Sequence, residues 1–148
     1  MRARVFRSTD GGATWSVADT PVHAGGASSG IFSLAFSDGV HGIAVGGDYA
    51  DRTLTDANVA ITSDGGRTWR LPTGAGPAGY MSAVTFVPGT NGQTAVAVGL
   101  VGTALSTDGG EHWRMVDSVA YNSVAFADRT TGWAAGPRGR IARWIGAP

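Results

Sequence analysis

The chain has 148 residues, 43% of them hydrophobic and 15% charged, and its eleven basic and eleven acidic residues cancel to a net charge of zero. That length supports one domain with a core of its own. The balanced charge without a basic patch argues against nucleic acid as a partner, and no apolar run reaches the ~18 residues of a membrane helix, so no membrane insertion is expected. Cysteine is absent, which excludes disulfides and thiolate chemistry and leaves the redox compartment open. The 24 glycines are spread along the whole chain, a pattern of many tight turns in an all-β protein.

Residues 1–7 run directly into a strand pattern and carry no apolar h-region, so no signal peptide is expected on this chain. The first strand, 4–8, leads into Ser8-Thr9-Asp10-Gly11-Gly12-Ala13-Thr14-Trp15. A loop around Pro21-Val22-His23-Ala24-Gly25-Gly26 follows, then the alternating segment Ile31-Phe32-Ser33-Leu34-Ala35-Phe36. Next comes the small-residue strand Gly42-Ile43-Ala44-Val45-Gly46, an insertion over 47–58, and the strand Val59-Ala60-Ile61-Thr62. There the first motif recurs as Thr62-Ser63-Asp64-Gly65-Gly66-Arg67-Thr68-Trp69.

The cycle then repeats. Tyr80-Met81-Ser82-Ala83-Val84-Thr85-Phe86 matches 31–36, Thr94-Ala95-Val96-Ala97-Val98-Gly99 matches 42–46, and Thr103-Ala104-Leu105-Ser106 opens a third copy, Ser106-Thr107-Asp108-Gly109-Gly110-Glu111-His112-Trp113. A last round gives Tyr121-Asn122-Ser123-Val124-Ala125-Phe126, Gly132-Trp133-Ala134-Ala135-Gly136 and Gly139-Arg140-Ile141-Ala142-Arg143, with no further copy of the motif after it. Trp15, Trp69 and Trp113 stand 54 and then 44 residues apart. Period-2 alternation marks strands, and no segment shows a 3.6 period.

Each repeat therefore reads strand A, strand B, strand C, Asp-Gly-Gly turn, strand D. Four short strands in ~40–50 residues are the signature of a propeller blade. The expected fold is all-β, a partial β-propeller of about three to three and a half blades from a wheel of about seven. The expected divisions are 1–29 (the end of one blade), 30–78 and 79–118 (two blades), and 119–148 (an incomplete blade). In the turn, the carboxylates of Asp10, Asp64 and Asp108 are expected to accept backbone N–H bonds. Gly12, Gly66 and Gly110 supply positive φ, and Trp15, Trp69 and Trp113 fold back as apolar plugs.

The pattern Ser-x-Asp-x-Gly-x-Thr-Trp is similar to the Asp-box (BNR) repeat of sialidases, sortilin-type receptors and photosystem II stability/assembly-factor-like propellers. The Asp-Gly-Gly-x-Thr-Trp form most resembles the last group. Bacterial secreted propellers often labelled "oxidoreductase" or "glycosyl hydrolase" also resemble it, through Val45-Gly46-Gly47-Asp48-Tyr49, Gly79-Tyr80-Met81-Ser82-Ala83-Val84 and 139–143. The resemblance covers nearly the whole chain and looks like the C-terminal half of such a protein. It implies a non-catalytic scaffold for protein or ligand interaction, in a secreted or periplasmic setting. A fragment of a sialidase-like or other glycoside hydrolase propeller, with its catalytic residues in missing blades, is the alternative.

Sialidase chemistry needs an arginine cluster and a Tyr nucleophile paired with Glu. The one glutamate is Glu111, inside the third box, and Arg7, Arg67, Arg70 and Arg114 flank the boxes, where solvated side chains are expected. No catalytic residues are assigned, and no cofactor is expected.

The lengthened first repeat makes 47–58 the best candidate site, because B–C and D–A loops share one face and the boxes lie on the other; loops on a rigid scaffold are where binding usually sits. Asp48, Tyr49, Asp51 and Arg52 are its candidate binding residues, and Asp48, Asp51 and Asp56 could hold Ca²⁺ through carboxylate oxygens. Tyr80 and Tyr121 would lie at the same mouth, unless they simply begin strand A. His23, His41 and His112 show no metal-ligand spacing. Arg138, Arg140 and Arg143 are the one dense basic group; on a strand Arg138 and Arg140 would share a face, which the resemblance links to a partner protein. An incomplete wheel exposes its flanks, to be covered by a missing N-terminal half or by self-association.

Overall fold

A computed structural model describes residues 2–146. The regular structure of the described residues is nearly all β-strand, in four antiparallel sheets taken in sequence order. The first sheet pairs β1 (Arg4–Arg7) with β2 (Ser16–Asp19). The second contains β3 (Ser29–Phe36), β4 (Gly42–Asp48) and β5 (Val59–Thr62). A single bridge between Ile61 and Arg70 stands where its fourth strand belongs. The third sheet is a full four-stranded meander of β6 (Met81–Phe86), β7 (Ala95–Gly99), β8 (Gly102–Ser106) and β9 (Arg114–Asp117). The fourth contains β10 (Ser123–Phe126), β11 (Gly132–Gly136) and β12 (Arg140–Arg143), with a short 3₁₀ turn at Pro137–Gly139 between the last two. This is a partial β-propeller whose end blades have two and three strands.

The cores lie between neighbouring blades. Ile43, Val45, Val59 and Ile61 of the second blade close over Met81, Val84, Ala97, Ala104 and Trp113 of the third. Val96, Val98 and Leu105 of the third meet Tyr121, Val124 and Phe126 of the fourth. β4, β5, β7 and β8 are buried along almost their whole length, because each has a blade on both faces. The outer sheets cover one face only, which leaves Phe6, Val17, Trp133 and Ile141 exposed; Phe32 and Leu34 are exposed on β3, the edge strand of the second sheet.

Two local devices repeat. In the first strands of blades two and three the register slips by one residue, leaving Phe32 and Ser82 as the extra residues of β-bulges. Opposite them, strand B ends in glycine for a steric reason: a Cβ on Gly46 would lie 1.8 Å from the Gly30 carbonyl oxygen, and one on Gly99 2.0 Å from that of Tyr80. The sequence repeat of Gly46, Gly99 and Gly136 thus records where the backbone crosses the entry of strand A.

The second device is the box. Gly11 and Gly12 sit at φ of 70° and 92°, and their counterparts in the other two copies are likewise positive. Asp10 Oδ1 accepts the Thr14 N–H at 2.9 Å and Oδ2 accepts the Thr14 hydroxyl at 2.6 Å, while Ser8 Oγ accepts the Gly12 N–H at 2.8 Å. Asp64 with Thr68, and Asp108 with His112, reproduce the arrangement. The Thr14 hydroxyl, then its N–H, hold the Asp10 carboxyl at about 2, well below the usual carboxylate range. Asp64 is lowered chiefly by the Thr68 hydroxyl. For Asp108, burial works upward but is outweighed by the N–H and ring of His112.

The plugs do not all behave alike. Trp69 and Trp113 are 9% and 7% exposed, but Trp15 is 61% exposed. The indole packs against the blade before its own, and β1–β2 has no preceding blade in this chain. Trp15 folds back onto its box as expected, its Nε1–H donating to Gly12 O at 3.0 Å, but its outer face is left uncovered.

Candidate functional site

The strand order sends the loops after strands B and D to one end of the blades and the boxes to the other. At the loop end, the insertion 47–58 is tied down by backbone bonds to three neighbouring segments. Tyr49 N–H donates to Ser28 O at 3.1 Å, Tyr80 N–H to Arg52 O at 3.1 Å, and His23 N–H to Ala57 O at 2.7 Å. Asn58, 1% exposed, fastens its far end by donating Nδ2–H to the carbonyls of Pro77 and Gly79 at 2.6 and 2.5 Å. The loop is thus wedged between the entry loops of the second and third blades.

An aromatic cluster marks its centre. Phe32 meets Tyr80 edge-to-face at 4.9 Å and Tyr49 at 6.0 Å, and Tyr49 meets Tyr80 at 6.3 Å. Edge-to-face contacts at these centroid distances are mutually stabilising. Phe32 and Tyr49 remain 42% and 45% exposed, and Tyr80 is 7% exposed beneath them. The bulge turns Phe32 outward, and it was not among the residues expected here; its partner in the next blade is Ser82, so the motif does not mark it.

The other expected binding residues divide. Asp48 and Tyr49 adjoin the cluster, and Asp51 and Arg52 lie on the exposed crest of the insertion. The Ser28 hydroxyl first, then the Ala50 N–H, lower the Asp48 carboxyl. Asp51 Oδ1 accepts the Thr53 hydroxyl at 3.0 Å. With Asp48 and Asp51 engaged in their own turns, no group of three His, Cys, Asp or Glu residues converges to hold a metal among the described residues, Asp56 included. Tyr121 is 8% exposed in the core between blades three and four, so its place is at the start of strand A and not at an open mouth. Arg138 lies at the loop end, but in the 3₁₀ turn at φ 62° and not on the strand with Arg140, so the two do not share a strand face.

The box end holds ion pairs that the sequence alone does not connect. Arg70 of the second blade pairs with Glu111 of the third through both guanidinium nitrogens. Glu111 Oε2 also accepts the Thr73 N–H at 2.9 Å and hydroxyl at 3.0 Å. Arg70, then Thr73, hold the Glu111 carboxyl at about 2. Arg70 is therefore an inter-blade clamp and not simply solvated. Arg7 makes a similar crossing, donating Nε–H to Gly65 O at 2.7 Å. Asp38 and Asp128 cap the turns after strand A by accepting N–H bonds from Val40 and His41, and from Thr130 and Thr131. No helix among the described residues is long and apolar enough to cross a membrane.

Comparison with known proteins agrees with this architecture. The BNR/Asp-box repeat family matches residues 6–17. The search of curated proteins returns no match. Among solved structures, YCF48 bound to D1 peptide superposes over 99% of this chain at a TM-score of 0.64 and 18% identity. An ancestral GH74 enzyme superposes over 94% at a TM-score of 0.59 and 16% identity. The chain spans 46% of the first and 19% of the second, so it corresponds to less than half of either. The chain thus carries a BNR/Asp-box repeat at residues 6–17 and has a partial β-propeller fold similar to that of YCF48.

Proposed function

We propose that the chain is a non-catalytic propeller scaffold that binds a protein segment on its loop face. The exposed edges of Phe32 and Tyr49, seated on Tyr80 and held by the anchored insertion, carry the reading. Rigid aromatic side chains with polar neighbours are efficient contact groups, because little entropy is lost when they engage. Asp48, Asp51 and Arg52 offer hydrogen bonds around that apolar centre. A fold-similar YCF48 bound to a D1 peptide supports a peptide ligand as a class. The two blade flanks are completed by further propeller blades, supplied by the other half of a longer wheel or by a second copy.

A peptide array probed with the purified chain tests this. A discrete subset of peptides should bind, and the Phe32→Ala/Tyr49→Ala double variant should lose at least tenfold in affinity while keeping its melting temperature within a few degrees. Indifference of binding to that double variant would refute the site. Turnover of aryl glycosides or sialosides by the chain would refute the non-catalytic reading.

A further inference from the structure

The second and third blades align at a spacing of 44 residues, Trp69 on Trp113, and their fourth strands differ. In the third blade β9 runs beside β8, with Asp117 opposite Thr103. There the Asp117 carbonyl oxygen lies 2.1 Å from where a Cβ on Gly102 would stand, so the fourth strand closes over that end of β8. In the second blade the pairing stops at the single Ile61–Arg70 bridge. Pro72, at the place of Val116, has no N–H to give to a ladder. Beyond it the Thr73 and Gly74 N–H groups both donate to Glu111, and Ala75 O accepts the Trp113 N–H at 3.0 Å. The segment is thus drawn off β5 onto the box of the third blade, and Asn58 stands where the third blade has Gly102.

The departure opens a hollow of about 170 Å³, with Ala57, Asn58 and Val59 on one side and Leu71, Pro72 and Gly76 on the other. It belongs to the second blade, which has a blade on each side in this chain. The Asn58 amide has a fixed orientation. Both Nδ2 hydrogens go to the carbonyls of Pro77 and Gly79, and a flipped amide would set its oxygen against those two oxygens. Oδ1 is therefore the acceptor left over, and it is buried without a donor among the described residues. Buried polar atoms of this kind normally have a partner. Gly76 gives the approach to it: a Cβ there would stand 3.0 Å from Oδ1 and 3.1 Å from Val59 Cγ1, and glycine leaves that space open.

We propose that this hollow is a binding site for a phenolic ring whose hydroxyl donates to Asn58 Oδ1. No charged side chain lines the hollow, so a cationic donor would be desolvated there without a counter-ion, whereas a neutral hydroxyl satisfies the acceptor at no such cost. The ring then lies against Val59, Leu71 and Pro72. An apolar cavity of ~150 Å³ is enough to bind benzene, so the hollow matches one ring bearing a hydroxyl. A tyrosine side chain and a free phenol share this chemistry. Neither Phe32 nor Tyr49 lines the site, and it stands apart from what binds to them.

The test is a titration of the ¹⁵N-labelled chain with phenol, followed by nuclear magnetic resonance at the Asn58 side-chain amide. A saturable shift there is expected, and anisole, which keeps the ring but lacks the donor, should bind about tenfold more weakly. Gly76→Ala places a methyl in the approach to Oδ1 and should weaken phenol to a similar extent, with the melting temperature within a few degrees of the parent's. Leu71→Ala removes an exposed wall and gives a second weakened variant that does not disturb the Asn58 anchor. Phe32→Ala/Tyr49→Ala should bind phenol as the parent does, so a failure here is told apart from a failure of the loop-face reading. N-acetyltyrosinamide separates the sources: a shift at Asn58 admits a tyrosine of a protein partner, and binding of phenol alone assigns the site to free phenols. An Asn58 amide unmoved by phenol, equal binding of phenol and anisole, or undiminished binding by folded Gly76→Ala and Leu71→Ala overturns the proposal.

Discussion

Trp113 and Trp15 occupy the same place in the same motif, and their truncation should have very different costs. A tryptophan side chain buries about 150–250 Å² when enclosed. At 7% exposure Trp113 removes nearly all of that from water, worth about 4–5 kcal/mol at ~25 cal/mol per Å². This is an upper value, since the unfolded chain already hides part of the area. Trp113→Ala also leaves a cavity among Ile43, Ile61 and Met81 and strips the Gly110 carbonyl of its 2.9 Å donor. A loss of about 3–5 kcal/mol is expected, within the usual span for buried tryptophan. Trp15 is 61% exposed, so the same area argument allows about 2 kcal/mol at most, and no cavity forms. Urea titration followed by far-UV circular dichroism, at the lowest workable concentration so that association does not contribute, should lower the midpoint by about 2 M for Trp113→Ala. The shift for Trp15→Ala should be less than half of that. Losses equal within about 1 kcal/mol would refute the claim that each indole is buried by the preceding blade.

The strand-end glycine gives a second test: Gly99→Ala puts a Cβ 2.0 Å from the Tyr80 carbonyl oxygen and should cost about 1–3 kcal/mol in a thermal melt, whereas Gly26→Ala meets nothing within 4 Å and should change stability little. Acid titration tests the clamp. The Glu111 carboxyl is lowered from 4.5 to about 2, so its share of stability is complete above about 4.5 and lost as pH falls toward 2. Glu111→Gln should lower the melting temperature at neutral pH and flatten its decline across that window, and a decline as steep as the parent's would contradict the Arg70–Glu111 assignment.

Much of the fold was legible because its determinants are local. Asp-Gly-Gly with a following Thr or His closes a turn through bonds that span four residues, so three copies identify three box turns without any tertiary information. The insertion 47–58 was equally visible as extra length between two box tryptophans. Phe32 was not, because its outward aim comes from a bulge that pairing with β4 creates. Tyr121 was open between a place at the mouth and the start of strand A, a choice that only its packing against the third blade decides. Glu111 looked like a surface turn residue because Arg70, its partner, is 41 positions away.

The sequence by itself determined the strand period, the box turns and the order of strands within each blade, since these depend on side-chain alternation and on hydrogen bonds between near neighbours. Tertiary structure alone decided which copy of a repeated residue is enclosed. Trp15, Trp69 and Trp113 share one motif, and only the presence of a blade in front separates a buried indole from an exposed one. Burial is a property of what packs against a surface, and a repeat does not encode its neighbour.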